Sequence, residues 1–293
     1  MAIKQKFTFF DIINIFFLCL FGVVTILPFM HVIAKAFSGE GPVIAGLVNF
    51  LPKQFQVDTV LYVLQRSEFL GAFRISAIVT VIGSALAMFL TVTAAYPLSK
   101  PNLIGRKFFL YIFVFIMLFN AGMVPNYLLF NSLDLLNTIW ALVLSGTFSV
   151  FNMFIVKNYF ESLPESVEES ARIDGASGIK TLLYVVLPMS KPVLATITLF
   201  YGVGYWNNYM SGVLYITKAS LKPLQQYLFD LTNEALNIMD STGNIKNIDS
   251  AMNLTGESVR SATIVVSTVP ILILYPFLQK YFVKGITIGS VKG

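Results

Sequence analysis

Five long stretches of this sequence after residue 73 carry no charged side chain. They lie between Arg74 and Lys100, between Lys107 and Asp134, between Asp134 and Lys157, between Lys191 and Lys218, and between Arg260 and Lys280. A charged side chain at the centre of a bilayer costs about 2.5–3.5 kcal/mol on insertion scales. Because charges flank these stretches and are missing within them, the pattern indicates helices that are buried in lipid.

Composition and length support the same interpretation. Charged residues make up 12% of the 293 residues, against about 25% in an ordinary soluble domain. A crossing helix needs about 20 mostly apolar residues. Six segments approach that length: Phe9–Ile33, Ile75–Leu98, Phe108–Phe130, Ile139–Val156, Val193–Thr217 and Ser261–Gln279. We therefore predict an all-α, polytopic protein with about six transmembrane helices, in which residues 1–293 form a single membrane domain.

The first span is predicted to be a retained helix. Its apolar run is long for a cleaved signal and has no clear small-residue cleavage site. Lysine and arginine favour cytoplasmic loops; residues 101–107 are basic, whereas the opposite short turn, residues 131–137, contains only Asp134. We therefore expect both termini in the cytoplasm, and residues 34–74 and 218–260 on the outside. The polar stretch 233–256 is predicted to be a loop.

The chain contains one cysteine, Cys19, and one histidine, His31. Zinc and haem sites that are built from these side chains need several ligands. We therefore expect no such metal site, and we interpret His31 as a packed or interfacial side chain, with a proton relay as the alternative.

The inside loop at residues 159–192 begins with features of a surface helix. Ser162 and Glu165 have the spacing of a capping box, and Pro164 fits a first helical turn. Leu163, Val167 and Ala171 recur every four residues and predict one narrow apolar stripe. The rest of this helix carries the charged residues Glu165, Glu168, Glu169 and Arg172.

The second part of the same loop predicts a turn and another helix. Gly175 is suited to end the first helix in a left-handed conformation, and Ser177 is suited to cap a helix over Gly178–Leu187. Pro188 and Pro192 then punctuate the beginning of span five. A solvated connection is the alternative, but connections between helices commonly need only about 2–8 residues. A loop of this length favours insertion into a groove of a partner protein.

This loop resembles a motif of bacterial ABC importer permeases, the EAA loop. That motif reads Glu-Ala-Ala, three residues, Gly, nine residues, Ile-x-Leu-Pro. The sequence has Glu169-Ser170-Ala171, then Gly175, then Val185-x-Leu187-Pro188, so that the spacing matches throughout and only Ser170 and Val185 depart from it.

The resemblance implies that the loop docks into a cleft of an ATPase and passes its closure to the membrane helices. Glu169 would contact the cleft, Ala171 would allow close packing, Asp174 would cap the loop and Gly175 would permit the turn. The expected coupling residues are Glu168, Glu169, Ala171, Asp174, Gly175, Leu187 and Pro188.

The ATPase is expected to be a separate chain. Residues Gly175–Thr181 lack the adjacent Gly-Lys-Ser/Thr of a phosphate-binding loop. We therefore expect no enzymatic activity and no cofactor in this chain, with ATP and Mg bound by the partner ATPase subunits.

Three further segments, residues 119–144, 204–216 and 275–293, resemble permeases of maltose-type carbohydrate importers. The resemblance covers nearly the whole chain and implies the type I ABC importer permease fold in a bacterial cell membrane. It also implies a heterodimer with a second permease, an ATPase dimer, an extracytoplasmic solute-binding protein and alternating access for an oligosaccharide. No nucleic-acid partner is expected.

Polar and aromatic side chains in spans three and five are candidates for contact with a sugar. Amides pair with sugar hydroxyls, and aromatic rings stack on apolar ring faces. The candidates are Asn120, Tyr201, Tyr205, Trp206, Asn207, Asn208 and Tyr209. Alternatively, the aromatic residues belong to an interfacial belt and the asparagines join helices. Gly122 and Pro125 are suited to break span three, and Pro270 and Pro276 to kink span six.

Three other functions are compatible with parts of the sequence. A proton- or sodium-driven carrier usually keeps ionisable groups within its spans, whereas these spans hold almost none apart from His31. A permease of the same superfamily for amino acids, metals or phosphate, and a scaffold without transport activity, are the other two alternatives. The ATPase activity of the purified complex, measured with and without the binding protein and a candidate glycan, discriminates between them.

Overall fold

The computed structural model describes residues 9–119, 121–240 and 256–289. These residues form helices and connecting turns, with no β-strand among them, which confirms the all-α prediction. The α-helices are α1 (Phe9–Ala36), α2 (Glu40–Ile44), α3 (Asp58–Gln65), α4 (Ser67–Leu98), α5 (Arg106–Leu118), α6 (Met123–Ser132), α7 (Ile139–Leu144), α8 (Val150–Glu161), α9 (Glu165–Ile173), α10 (Gly178–Thr181), α11 (Leu187–Met189), α12 (Lys191–Trp206), α13 (Met210–Tyr215), α14 (Leu224–Asp240) and α15 (Gly256–Gly289).

Three helices in the described part of the chain are long and apolar enough to cross a membrane. They are Phe9–Ala36, Ser67–Leu98 and Gly256–Ile273. These helices contain or overlap the first, second and sixth predicted spans, and α15 continues across Pro270 and Pro276. Two bent helix pairs reach the length of a span together, and both fall in or beside predicted spans.

The third predicted span, Phe108–Phe130, is two helices. Helix α5 ends at Leu118 and α6 begins at Met123, with Gly122 at φ +87° before it. A positive φ is accessible to glycine because it has no Cβ. The break that Gly122 predicts is therefore present, and Asn120 lies outside the described residues.

The fourth and fifth predicted spans are also interrupted, so the prediction of continuous helices there is wrong. Residues 145–149 separate α7 from α8, and residues 207–209 separate α12 from α13. Side chains at each break cap the helix that follows: the Ser149 hydroxyl accepts from Asn152 N–H at 3.3 Å, and the Asn208 amide oxygen accepts from Ser211 N–H at 3.1 Å. These caps replace backbone partners that the breaks remove.

The described residues fall into two compact units. The first contains residues up to 69 and 228–269, and the second contains residues 70–227 and 270–289. The core of the second unit is formed by α4, α7, α8 and α12, with Ala87, Val143, Met153 and Ile197 completely buried.

One aromatic side chain joins three elements of this core. The ring of Tyr205 lies directly against Gly83 of α4 and Gly146 of the break after α7. Its hydroxyl donates to the carbonyl of Val143 at 2.7 Å. A Cβ on Gly83 would lie 2.5 Å from the ring carbon Cζ of Tyr205, so a close approach at this position requires glycine.

We predict that Gly83→Ala lowers stability by about 1–3 kcal/mol, the usual cost of overpacking a core. The Tyr205 ring cannot rotate away without breaking its hydrogen bond to Val143. Gly71→Ala is the matched control, since it lies in the same helix and nothing stands within 4 Å of its added Cβ; a stabilisation of about 0.4–1 kcal/mol is expected there. Thermal unfolding in detergent compares the two variants, and equal unfolding temperatures would contradict the packing described.

Candidate functional site

Helix α9 carries the acidic residues of the inside loop, and its beginning differs from the prediction. The predicted capping box of Ser162 and Glu165 is wrong. Ser162 ends the preceding helix α8, where its hydroxyl donates to the Tyr159 carbonyl at 2.7 Å. The residue before α9 is Pro164, which provides no side-chain cap. Its extended backbone suffices to start the helix, because a proline ring fixes φ.

The end of α9 is a Schellman motif, as the predicted glycine turn requires. Gly175 has φ +80°. The amide of Ala176 donates to the Ala171 carbonyl at 2.9 Å, and the amide of Gly175 donates to the Arg172 carbonyl at 3.0 Å. Asp174 contributes its backbone, whose amide donates to Ser170 at 3.0 Å. The bonds from Ala176 and Gly175 satisfy carbonyl groups that would otherwise have no partner at the end of α9.

The second helix of the loop begins where Ser177 predicts and extends beyond Leu187. The Ser177 hydroxyl accepts from the Lys180 amide at 3.5 Å. After α10 the backbone forms a wider turn over Leu182–Val186, and helix α11 continues to Met189. Pro188 has no N–H and its ring crowds the carbonyl four residues earlier, which accounts for the widened turn before it. At Ser190 the chain bends by 84° into α12.

The two neighbouring glutamates of α9 face different surroundings. Glu168 is 7% exposed, and both of its carboxylate oxygens lie 2.5 Å from Lys100 Nζ. The same ammonium lies 4.7 Å from the ring centre of Tyr96. Glu169 is exposed. Successive residues of a helix point about 100° apart, so Glu168 holds α9 to the end of α4 while Glu169 faces outward.

A second ionic cluster joins the end of α8 to the beginning of α5 and the end of α4. The Glu161 carboxylate pairs with the guanidinium of Arg106 and with Lys157 Nζ at 2.8 Å. The Arg106 Nε–H donates to the Leu98 carbonyl at 2.8 Å. Helices α4, α8 and α9 are thus linked by charged side chains around a groove of about 390 Å³.

The far end of the loop is attached to α8 as well. The Tyr159 hydroxyl donates to the Met189 carbonyl at 3.3 Å. Tyr159 lies beyond the predicted end of the fourth span, and burial raises the pKa of its phenol. The hydroxyl therefore stays neutral and remains a donor at physiological pH.

The outward surface of the loop contains large apolar side chains that the sequence analysis did not single out. Ile173 is 85% exposed, Ile179 72% and Tyr184 78%. None of the three belongs to the Leu163–Ala171 stripe. A large apolar residue outside that stripe is the feature of the sequence that could have identified them. We call Glu169 and these three exposed side chains the outer face of the loop.

The structure places the span-five candidates in two groups. Tyr201 and Tyr205 are buried, and both hydroxyls bond within the chain. The Tyr201 hydroxyl lies 2.7 Å from Thr91 Oγ1 and accepts from the Ser149 amide at 3.1 Å. These two tyrosines hold α12 against α4 and the breaks beside α7 and α8.

The other group lies at the break between α12 and α13. Trp206 is buried, and its ring meets Phe73 edge to face at 5.5 Å. Asn208 is half-buried, and its amide donates to Ser211 Oγ at 2.8 Å. Asn207 and Tyr209 are exposed, so this break presents an amide and an aromatic ring outside the core.

We predict that Lys100→Met lowers stability by about 2 kcal/mol, because it leaves the Glu168 carboxylate buried without its cation. Breaking a fully buried pair costs about 3–5 kcal/mol, and the Lys100 side chain is 23% exposed. The double variant Lys100→Met with Glu168→Leu should recover most of the loss, since neither charge then remains. Thermal unfolding of the single and double variants gives this coupling directly.

Lys180→Met is the control for this comparison, because Lys180 is an exposed lysine in the loop that carries Glu168. A change within about 0.5 kcal/mol is expected there. If Lys100→Met were as mild as Lys180→Met, the ion pair would contribute nothing to holding α9.

Comparison with known proteins identifies the family. The model of the family "Binding-protein-dependent transport system inner membrane component" matches residues 75–288. Protein LplC of Bacillus subtilis is 44% identical over 97% of this chain and 95% of its own length. The polygalacturonan/rhamnogalacturonan transport system permease protein YtcP of the same organism is 39% identical over 97% of this chain and 98% of its own length.

A solved structure agrees with these relatives. A chain of a bacterial ABC transporter involved in the import of the acidic polysaccharide alginate superposes with a TM-score of 0.86 and 32% identity, covering 95% of this chain and 100% of that chain. The resemblance to ABC importer permeases in the sequence is thereby confirmed, together with the type I fold it implies. The chain belongs to the binding-protein-dependent transport system inner membrane components, the permease subunits of ABC importers.

Proposed function

We propose that this permease translocates an oligosaccharide that an extracytoplasmic solute-binding protein delivers, by alternating access driven by separate ATPase subunits. The observation that carries the proposal is the outer face of the loop, which exposes an acidic residue on a segment that an ion pair and a hydrogen bond attach to neighbouring helices. The names of the relatives support a glycan as the substrate. One relative is a polygalacturonan/rhamnogalacturonan transport system permease protein, and the similar solved structure is of a transporter involved in alginate import.

The outer face of the loop has the chemistry of a docking surface. Glu169 supplies a charge, and Ile173, Ile179 and Tyr184 supply apolar area that water would otherwise cover. Aromatic and large apolar side chains near a charged anchor are typical of interface centres. The partner in this proposal is an ATPase dimer, whose subunits bind ATP and Mg.

The anchoring contacts explain how movement at this face would reach the membrane helices. The ion pair of Glu168 joins α9 to the end of α4, and the Tyr159 hydroxyl joins the end of the loop to α8. A displacement of the ATPase surface would then move α9 together with these helix ends. The membrane helices would reorient without stretching a flexible linker.

The membrane arrangement in this proposal places both termini in the cytoplasm and pairs the chain with a second, homologous permease. Helix α5 supports a lipid- or subunit-facing position, because none of its residues is buried within the chain. The basic loop at residues 101–107 supports the orientation, since cytoplasmic loops carry an excess of lysine and arginine.

The proposed sugar path passes the break between α12 and α13. Asn207 and Tyr209 are exposed there, and no charged residue occurs between Lys191 and Lys218. This segment therefore offers hydroxyl-binding amides and flat rings to a sugar, and no side-chain charge to an ion. Trp206 and Asn208 support the break from within, and Tyr201 and Tyr205 hold the helix behind it.

We predict that Glu169→Lys abolishes ATP-driven glycan uptake while the chain remains inserted, because it reverses the charge at the docking face. The measurement is glycan uptake into proteoliposomes that contain the whole complex. ATP is supplied on the side of the membrane where the ATPase subunits lie. Glu165→Lys, the same charge change one turn earlier, should retain most of the uptake. Normal uptake by a well-expressed Glu169→Lys complex, or uptake that persists without ATP, is incompatible with the proposal.

We predict that Asn207→Ala changes the rate of glycan uptake several-fold while the binding protein still stimulates ATP hydrolysis. The substitution removes a sugar-facing amide and leaves the docking loop intact. Asn131→Ala, at an exposed asparagine at the end of α6, is the matched control and should leave both rates unchanged. If Asn207→Ala transports like the wild type, the sugar path lies elsewhere.

A further inference from the structure

The segment that follows α1, from within α2 onward, folds back along the end of α1. We call residues 42–56 the return segment. The amide of Gly39 donates to the Lys53 carbonyl at 2.9 Å, and the amide of Gln56 donates to the Phe37 carbonyl at 3.1 Å. Farther down, the Nδ1 of His31 lies 2.7 Å from the Asn49 carbonyl. The middle of the return segment is therefore level with His31, more than one turn inside α1.

The return segment is attached to α1 by packing as well as by hydrogen bonds. Val43 and Val48 are buried against Ala34. The Lys53 amide donates to the Ser38 hydroxyl at 2.9 Å. Alanine and serine at the end of α1 leave room for this close approach, so the position of the segment is fixed by the sequence on both sides.

The length of α1 gives the depth of this attachment. Its 28 residues span about 42 Å at 1.5 Å per residue, whereas the hydrocarbon core is about 30 Å thick. A centred helix therefore projects by about four residues at each end, so that the boundary of the hydrocarbon falls close to Val32. In a helix centred in this way, Asn49, which pairs with His31, would lie at that boundary.

The return segment turns large apolar side chains away from the protein at this depth. Ile44 is 68% exposed, Leu47 52%, Phe50 49%, Leu51 73% and Phe55 71%. The only charged residue among residues 42–56 is Lys53. A lysine can bury its methylene stem and extend its ammonium to the head groups.

Hydrogen bonds satisfy backbone groups in the non-helical part of the return segment, which allows it to lie at this depth. Gly46, at φ +66°, allows a turn in which the Leu47 amide donates to the Pro42 carbonyl at 2.9 Å. His31 donates to the Asn49 carbonyl, since a carbonyl can only accept. Backbone groups near hydrocarbon need such partners, and this contact gives the only histidine of the sequence a role.

We propose that the return segment is a membrane-interface anchor, whose side chains Leu47, Phe50, Leu51 and Phe55 insert into the lipid leaflet at the C-terminal end of α1. The occupant of this apolar surface is lipid, because the surface is continuous with α1, whose apolar side chains are exposed along its length. The anchor would fix the height of α1 in the bilayer. This inference rests on membrane insertion of α1 and is independent of the substrate.

The test uses nitroxide labels in the assembled complex, reconstituted in liposomes, with uptake measured to show that each complex is intact. Cys19 is exposed in α1 and serves as the hydrocarbon reference in the wild type. In a Cys19→Ser background, Leu51→Cys and Phe55→Cys probe the return segment, and Gln65→Cys of α3 is the aqueous reference. Collision rates with oxygen, which partitions into lipid, and with a water-soluble nickel chelate are compared.

The expected ratio of oxygen to nickel collisions at positions 51 and 55 exceeds that at position 65 several-fold and lies below that at position 19. A ratio equal to that at position 65 would place the segment in water and overturn the proposal. Suppressed collisions with both reagents would show that a protein subunit covers the segment, which overturns it as well.

Discussion

A polypeptide in a bilayer has to satisfy the backbone groups that each helix break releases, because no water is available to them. This constraint governs the arrangement of the described helices. Thr138 and Ser149 cap α7 and α8, and Asn208 caps α13. His31 likewise donates a hydrogen bond to the Asn49 carbonyl, which lies outside any helix. Short polar side chains thus permit helix ends where the apolar sequence alone would predict continuous spans.

Buried tyrosines complete what the caps begin. The Tyr205 hydroxyl donates to the Val143 carbonyl, and the Tyr201 hydroxyl accepts from the amide of Ser149 at the start of α8. Helix α12 therefore supplies partners to the break after α7, while Gly83 and Gly146 leave space for the ring of Tyr205. An interrupted helix can be as well fixed as a continuous one when a neighbouring helix provides the missing hydrogen bonds.

Sequence reasoning succeeded where one local property decides the structure. Apolar length located α1, α4 and α15, and the need for positive φ located the turns at Gly122 and Gly175. It failed where the deciding partner is distant. Nothing near Gly146 announces the ring of Tyr205, and the spacing of Ser162 and Glu165 does not reveal that Ser162 closes the preceding helix. The inward direction of Glu168 depended on Lys100, a residue far away in the sequence.

The contrast between Glu168 and Glu169 supports the proposal that α9 transmits force. The Glu168 carboxylate is nearly buried and paired with Lys100. Helix α9 therefore cannot tilt without breaking this ion pair at low dielectric. The next carboxylate, about 100° around the helix, stays exposed beside Ile173 for a partner. A helix that an ion pair holds on one side and a partner contacts on the other would transmit a displacement to α4 with little bending of its own.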